Sequence, residues 1–419
     1  MKKLFISSLI LLLCGTVQAQ QLSLKECFNA LESGDPAVRQ KAVEERLTGL
    51  REANIRAERL PQVSVNAQAT WQSEVTSLPL ELPGVDIPTL SKDQYRITAD
   101  VNYALYDGGL TKTRLALEAL SHASQNLQLD AELLKQQQQV LEAYVRAMLF
   151  EKNANILEEQ KKVLEARHKK LIHMANEGLV MQNQVSLLEK EQLLLEQKIA
   201  EAYISKSQNL QSLRTLTGLN FSSTVELQKL ETINQPSADF SERPELQLME
   251  QQRAGLGLQD DLQEGLAKPK VALFGQGGYG RPGLNFLENS FSPWYMGGIR
   301  ISWDLGSLYS LRRKKEISNL STQIIDLNEE RLTNQLKTVY DYQVQEVERL
   351  GSEIERDNRI IRLSESITKA YAAQLDEGII TSDTYLNQLN QENQARLALA
   401  LHETQLLLAL HSLGLLTGM

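Results

Sequence analysis

Few residues in this chain are of types that do chemistry, and their spacing does not suit it. The five His (His122, His168, His173, His402 and His411) fall in no HExxH or comparable metal-ligand spacing. His168 and His173 are five apart and do not share a helix face well, so a solvated surface is expected for both. Two Cys, Cys14 and Cys27, cannot build a zinc site or a disulfide framework. The run GQGGYG from Gly275 to Gly280 has the glycines of a phosphate loop but lacks the Gly-Lys-Ser/Thr ending and a following helix. No nucleophile–base constellation and no paired carboxylates in a defined pocket are found. The expectation is a protein that is not an enzyme and takes no cofactor and no metal. The basic run Arg312 to Lys315 reads either as a solvated helix start or as a contact for anionic lipid groups. A formal net charge of -9 over 419 residues argues against a nucleic-acid partner, which would call for a basic face.

The N-terminus reads as an export signal. Lys2 and Lys3 precede an apolar run from Leu4 to Leu13, and Val17-Gln18-Ala19 ends in a small-residue cleavage pattern. Residues 1–19 are therefore expected to be removed, and Cys14 with them. No lipid modification is expected, because three Leu precede Cys14 where a lipid-attachment box takes a small residue. Cys27 is left as a single thiol, expected to be buried and inert. Past the signal no run of 18 apolar residues occurs, so no transmembrane helix is expected.

Proline and glycine divide the rest. No Pro falls between Thr89 and Gln235 or after Pro293, and Gly178 is the only Gly between Leu110 and Thr217. Such stretches, rich in Leu, Gln, Glu, Lys and Ala, are long helices. Leu120, Leu127, Leu134, Leu141 and Met148 repeat every seven residues; Leu157, Leu164 and Leu171 resume the repeat after a phase shift; Ile317, Leu320, Ile324 and Leu327 follow a/d spacing. At 1.5 Å per residue the span Leu110 to Met174 reaches roughly 100 Å, which only a gap-spanning role needs.

Two Pro/Gly-containing regions interrupt the helices with strand patterns. From Gln62 to Trp71, Val63, Val65, Ala67, Ala69 and Trp71 alternate with polar residues, and Arg96 to Leu105 alternates in the same way. Val271, Leu273 and Tyr279 share one parity, and Ile299, Ile301, Trp303 and Leu305 alternate with Gly298, Arg300, Ser302 and Asp304. Ten residues suffice for a tilted strand to cross a bilayer. Trp71, Tyr95, Tyr103, Tyr106, Tyr279, Trp294, Tyr295 and Trp303 lie in these regions, as interfacial aromatic girdles do. A soluble sheet with one wet face would alternate similarly.

The chain is also an internal duplication. Glu177-Gly178 recurs 200 residues later as Glu377-Gly378, and Leu213, Leu216, Thr217 and Gly218 recur as Leu413, Leu416, Thr417 and Gly418. Each half reads helix, strand, loop, strand, long helix, tight turn, returning helix. Four membrane-type strands are too few to close, and open edges cannot face lipid, so strands from other copies are required. Two copies give eight strands and a filled barrel; three give twelve and a conducting one.

With these features the chain resembles the outer membrane efflux protein family, the TolC-like channels. The resemblance covers essentially the whole mature chain and rests on the duplicated order, DPAVRQ from Asp35 to Gln40, LYDGG from Leu105 to Gly109, the turns NEGLV and DEGII, and LTG at Leu216 and Leu416. It implies a mixed α and β homotrimer with a twelve-stranded outer membrane barrel, four strands per chain, continuous with a long periplasmic α-helical barrel. The implied function is the passive exit duct of a tripartite efflux or type I secretion system in a Gram-negative bacterium, with a periplasmic adaptor and an inner-membrane transporter as partners. The alternative is a periplasmic adaptor-like coiled-coil structural protein.

The organisation expected is an N-terminal helical region at 20–60, a first strand pair at 61–109 with an extracellular loop at 76–92, and a first hairpin at 110–218. A linker and second-repeat helix at 219–268, a second strand pair at 269–306 with a loop at 281–292, and a second hairpin at 307–419 follow. By resemblance the periplasmic tips are Gly178, Leu179 and Val180, and Gly378, Ile379, Ile380 and Thr381, where adaptor hairpins dock. Local turn packing is the other reading of their apolar residues. The family's gate positions correspond to Gln184, Thr384 and Asn387, none of them acidic. Neighbouring Asp383 would give a ring of three carboxylates in a trimer, or cap the returning helix after Thr381-Ser382.

Overall fold

The computed structural model describes residues 21–76, 90–285 and 287–418. The signal segment, Cys14 and most of the first loop lie outside these residues. In chain order the elements are β1 (Gln21–Leu22), α1 (Leu24–Gly34), α2 (Pro36–Ala57), β2 (Gln62–Trp71), β3 (Asp93–Tyr106), α3 (Leu110–Asn176), α4 (Gln182–Thr217) and β4 (Glu226–Leu227). There follow α5 (Pro244–Ala267), β5 (Lys270–Arg281), β6 (Ser292–Ser302), α6 (Leu308–Asp376) and α7 (Ser382–Leu416). The duplication is plain in this order: α2-β2-β3-α3-α4 is matched by α5-β5-β6-α6-α7. The helices α3 and α6 have 67 and 69 residues; α3 holds neither Pro nor Gly, and α6 holds no Pro and the single Gly351.

The chain divides into two units, with the divisions falling inside α2, α3 and α6 and at the start of α5. One contains the sheet, in the order β2-β3-β5-β6, antiparallel throughout. The two halves meet at β3 and β5, which leaves β2 and β6 as open edges. The register sorts side chains onto two faces. Val63, Val65 and Ala67 align with Val101, Ala99 and Ile97 on one. Ser64 and Asn66 align with Asp100 and Thr98 on the other. The apolar face is uncovered: Val65 is 69% exposed and Ile301 70%.

Three details depart from the simple alternation. Pairing runs from Asp93, three residues before the alternating run begins. A bulge between Ala104 and Tyr106 takes Leu105 out of the ladder and turns Tyr106 to the apolar side opposite Val271. Trp294, read as an interfacial aromatic, stands on the polar face, level with Thr98 and Gly278. It lies flat across β5, where a Cβ at Gly278 would come within 2.6 Å of its ring.

The LYDGG motif has a local cause. The Asp107 carboxylate accepts the Gly109 and Thr111 amides at 2.9 and 2.8 Å, which starts α3. Gly108, at φ 78°, passes so close to α5 that a Cβ would sit 2.4 Å from the Gly265 carbonyl oxygen. The two lysines of the basic run at the start of α6 are tied to α5: Lys314 donates to Gln263 at 2.6 Å and Lys315 pairs with Glu264 at 2.5 Å.

The other unit is helical and holds two apolar clusters. The first gathers Cys27 and Leu31 with Val140, Leu141, Tyr144, Leu210 and Leu213. The Tyr144 hydroxyl lies 2.7 Å from the carbonyl oxygens of both Leu22 and Gln228, so it fastens α3 to the parallel pair β1–β4. Cys27 is fully buried and its thiol is pushed up to about 12 by burial and then by Glu26, so it stays an inert packing group. The second cluster lies below the two Gly turns. His168 is half-buried there rather than solvated. The helix α7 is also long and apolar enough by composition to cross a membrane. Its Tyr385, Leu386 and Leu389 pack in one cluster and Leu415 in the other, so the apolarity is that of a core helix.

Candidate functional site

The two turns at the ends of α3 and α6 are built alike. Gly178 and Gly378 both adopt φ 74°. In the first turn the Gly178 amide donates to Ala175 O at 3.0 Å and the Leu179 amide to Met174 O at 2.9 Å. In the second, Gly378 donates to Leu375 O at 3.1 Å and Ile379 to Gln374 O at 2.8 Å. This double bond pattern ends a helix where the residue after the cap is left-handed, which glycine allows without strain. Its consequence is that the residue after each glycine is thrown outward. Leu179 and Ile379 are each 66% exposed, and Met181 is 72% exposed. Val180 and Ile380, one residue further, pack instead against the cluster below. The apolar tip residues thus divide between both readings: 179 and 379 are free to meet a partner, 180 and 380 hold the turn.

Below the turns, Leu157, Leu164 and Leu171 of α3 meet Val185, Leu188 and Leu195 of α4, and Leu375, Tyr385, Leu386 and Leu389 of the second hairpin join them. Polar groups stitch the two hairpins together around this core. Asp376 pairs with Arg167 and, at 2.9 Å, with Lys170. The Arg167 guanidinium also lies over the buried Tyr385 ring, 5.5 Å from its centre. Ser382, fully buried, donates to Gln184 Oε1 at 3.0 Å. Gln160 donates to Asn390, which in turn donates to Glu191 at 3.1 Å. Burial alone would raise the Asp376 carboxyl, but Lys170 and Arg167 outweigh it and hold the group below its usual range.

The gate candidates separate. Asp383, Thr384 and Asn387 share one exposed side of α7, with Asn387 donating to Asp383 at 3.3 Å. Gln184 is not with them; it is half-buried and engaged between the hairpins. Asp383 is not the helix cap. Thr381 is, its hydroxyl accepting the Thr384 amide at 3.4 Å, and Asp383 lies in the first turn, where a negative charge suits the helix dipole. Sequence reasoning missed Arg167, Lys170, Asp376 and Tyr385. Only their position a few residues from the repeated glycines would have pointed to them.

A second missed group is His402 on α7, with Nδ1 2.6 Å from Asp357 and Nε2 3.3 Å from Glu353, both on α6. Among the described residues no group of three or more His, Cys, Asp or Glu has the geometry to hold a metal ion.

On the sheet's apolar face Tyr95 and Tyr279 flank Phe291, with ring centres 6.3 and 5.8 Å from it, and Arg281 lies across Tyr95 and Phe291. Tyr295 and Trp71 are 88% and 79% exposed. Tyr103 takes the same face, aligned with Leu273. Trp303 follows the end of β6 and donates its indole N–H to Ala267 O at 2.8 Å.

Solved structures share this combination of an antiparallel four-stranded sheet, open at both edges, joined in each half to a long helical hairpin. The chain matches VceC of Vibrio cholerae over 94% of both chains, at a TM-score of 0.70 and 15% identity. The fold is that of the outer membrane efflux channels. CmeC of Campylobacter jejuni is similar at a TM-score of 0.70 and 12% identity, over 94% of this chain and 85% of that one. The open-state MtrE channel of Neisseria gonorrhoeae is similar at 0.68 and 14%, over 94% and 88%. No family model and no curated protein matches the sequence.

Proposed function

We propose that three copies of this chain close their sheets into one twelve-stranded barrel in the outer membrane of a Gram-negative bacterium. Their duplicated hairpins form a periplasmic α-helical barrel, and the whole is the passive exit duct of a tripartite efflux or type I secretion system. The observation that carries this reading is the sheet itself. Its apolar face is uncovered, its other face is polar, and β2 and β6 both end it with unpaired backbone groups. In lipid every such group must be paired, so the edges close on those of sister chains. Eight strands would be filled by their own side chains, whereas twelve leave a channel.

The helices beside the two edges support the same assembly. Ile317, Leu320, Ile324 and Leu327, expected at coiled-coil positions, are 50 to 64% exposed on α6 just after β6. Val43 and Leu50, one heptad apart, are equally exposed on α2 just before β2. When β6 of one chain pairs with β2 of the next, these stripes have each other to cover. The domain limits expected from the sequence are kept in this reading, with 20–60 and the hairpins periplasmic and the loops after β2 and β5 extracellular. The tips at Gly178–Val180 and Gly378–Thr381 receive the periplasmic adaptor, which links the duct to an inner-membrane transporter. Asp383, Thr384 and Asn387 face the periplasmic mouth of the pore.

Extraction and electrophoresis test the proposal. The expected result is recovery from outer membranes only in detergent, as a trimer whose migration shifts on heating. A water-soluble monomer overturns it.

A further inference from the structure

The polar face of the sheet is basic although the chain is acidic. Arg96 on β3, Lys270 on β5 and Arg300 on β6 share that face with one carboxylate, Asp100. The β2 residues on the same side, from Gln62 to Thr70, are uncharged. Asp100 is met by neutral donors from three strands: Asn66 at 3.0 Å, Thr98 at 3.0 Å and Gln276 at 2.5 Å. No carboxylate pairs with Arg96, Lys270 or Arg300 among the described residues, although Arg281, on the other face, pairs with Asp93.

Both arginines are instead held by aromatic rings. Arg96 lies 6.0 Å from the Trp294 ring centre and Arg300 4.8 Å from that of Phe274. Each ring is pinned flat across a glycine of the adjacent strand. A Cβ at Gly278 would meet Trp294 at 2.6 Å, and one at Gly298 would meet Phe274 at 3.0 Å. A ring orders a guanidinium through its quadrupole without cancelling the charge, as a carboxylate would. The face therefore carries fixed, exposed positive charge on rigid platforms.

We infer that this face is an electropositive lining that favours anionic solutes over cationic ones. The inference rests on the barrel reading above, in which the polar face is the wall of the channel and every charge on it occurs three times. A water-filled passage between low-dielectric walls concentrates the field of such charges.

The test uses the full chain in outer membranes, with Cys27→Ser as background. A cysteine is placed at Gln68→Cys, directly across the ladder from Arg96 on the polar face, and separately at Val65→Cys on the apolar face. Each is treated with methanethiosulfonate reagents bearing a sulfonate or a trimethylammonium group, with rates normalised to a small free thiol. The expected result is that Gln68→Cys reacts at least about threefold faster with the anionic reagent. Adding Arg96→Gln brings the ratio towards one, Arg96→Lys keeps it, and Val65→Cys is protected from both reagents. A reactive Gln68→Cys whose ratio is one or lower, or is unmoved by Arg96→Gln, overturns the lining and leaves the barrel standing. If Val65→Cys reacts as fast as Gln68→Cys, or Gln68→Cys reacts with neither reagent, the barrel reading falls and the lining with it.

Discussion

The guanidinium of Arg167, near the end of α3, pairs with the carboxylate of Asp376, the last residue of α6, so the two hairpin ends of one chain are clasped to each other. Lys170 shares the same carboxylate. The clasp sits on an apolar cluster that both hairpins build, and its strength is set by solvent. The Asp376 side chain is 33% exposed, so the pair contributes on the order of 1 kcal/mol or less. Asp376→Asn is accordingly expected to leave the global thermal midpoint nearly unchanged. Amide exchange should speed up in 167–180 and 372–384 and nowhere else.

The same carboxylate gives the tips a pH dependence. Its folded value is held below the ordinary one, so the stabilisation is complete above the unfolded value, about 3.9, and is lost as pH falls through the folded value. Protection of the tip amides, taken relative to the intrinsic exchange rate at each pH, is expected to be flat from pH 8 to 5 and to fall below about pH 4. In Asp376→Asn that acid limb should vanish. A limb that persists in the variant would assign it to other groups.

Positive φ alone and positive φ with crowding are separable by alanine. At Gly178 and Gly378 an added Cβ meets nothing within 4 Å, so Gly178→Ala costs only the backbone preference, about 1 kcal/mol. At Gly108 the Cβ would collide with the Gly265 backbone as well. Gly108→Ala is expected to lower the thermal midpoint several-fold more than Gly178→Ala, or to abolish folding of the sheet unit. Equal shifts would contradict the close approach.

Leu179 and Ile379 are exposed by the geometry of their turns, whereas Val180 and Ile380 are packed. The double variant Leu179→Ser, Ile379→Ser should keep the melting profile of the parent and lose adaptor binding in a pull-down. Val180→Ser is expected to destabilise the tip by about 1–3 kcal/mol, because it removes packed apolar surface. The reverse pattern would move the docking surface elsewhere.

The stripe on α6 offers a test of assembly that does not touch the barrel strands. Ile317→Asp with Ile324→Asp places charge where a sister chain is expected and removes little packing within the chain, both residues being about 60% exposed. Light scattering in detergent should then give fewer trimers, with helix content unchanged by circular dichroism.

Much of this architecture was legible in the residues. Alternation from Gln62 to Trp71 marks β2 to the residue, because a pleated strand turns successive side chains to opposite faces. The 200-residue offset places Gly178 and Gly378, whose equal φ of 74° confirms that the repeat is geometric. The alternation did not reveal the bulge at Leu105, which arises from the pairing of β3 with β5, strands some 170 residues apart in sequence. Nor did it reveal the side on which Trp294 lies, since a loop resets the parity of β6 and only the register against β5 restores it.

Local pattern by itself determined the strands, the long helices, the glycine turns and the duplication, because periodicity and backbone permissiveness are properties of neighbouring residues. Tertiary structure alone decided which hairpin ends are clasped, which of two adjacent apolar tip residues is free, and which charges on the sheet go unpaired. Those depend on what a side chain meets across space, and that is fixed only when strands and helices distant in sequence are brought into register.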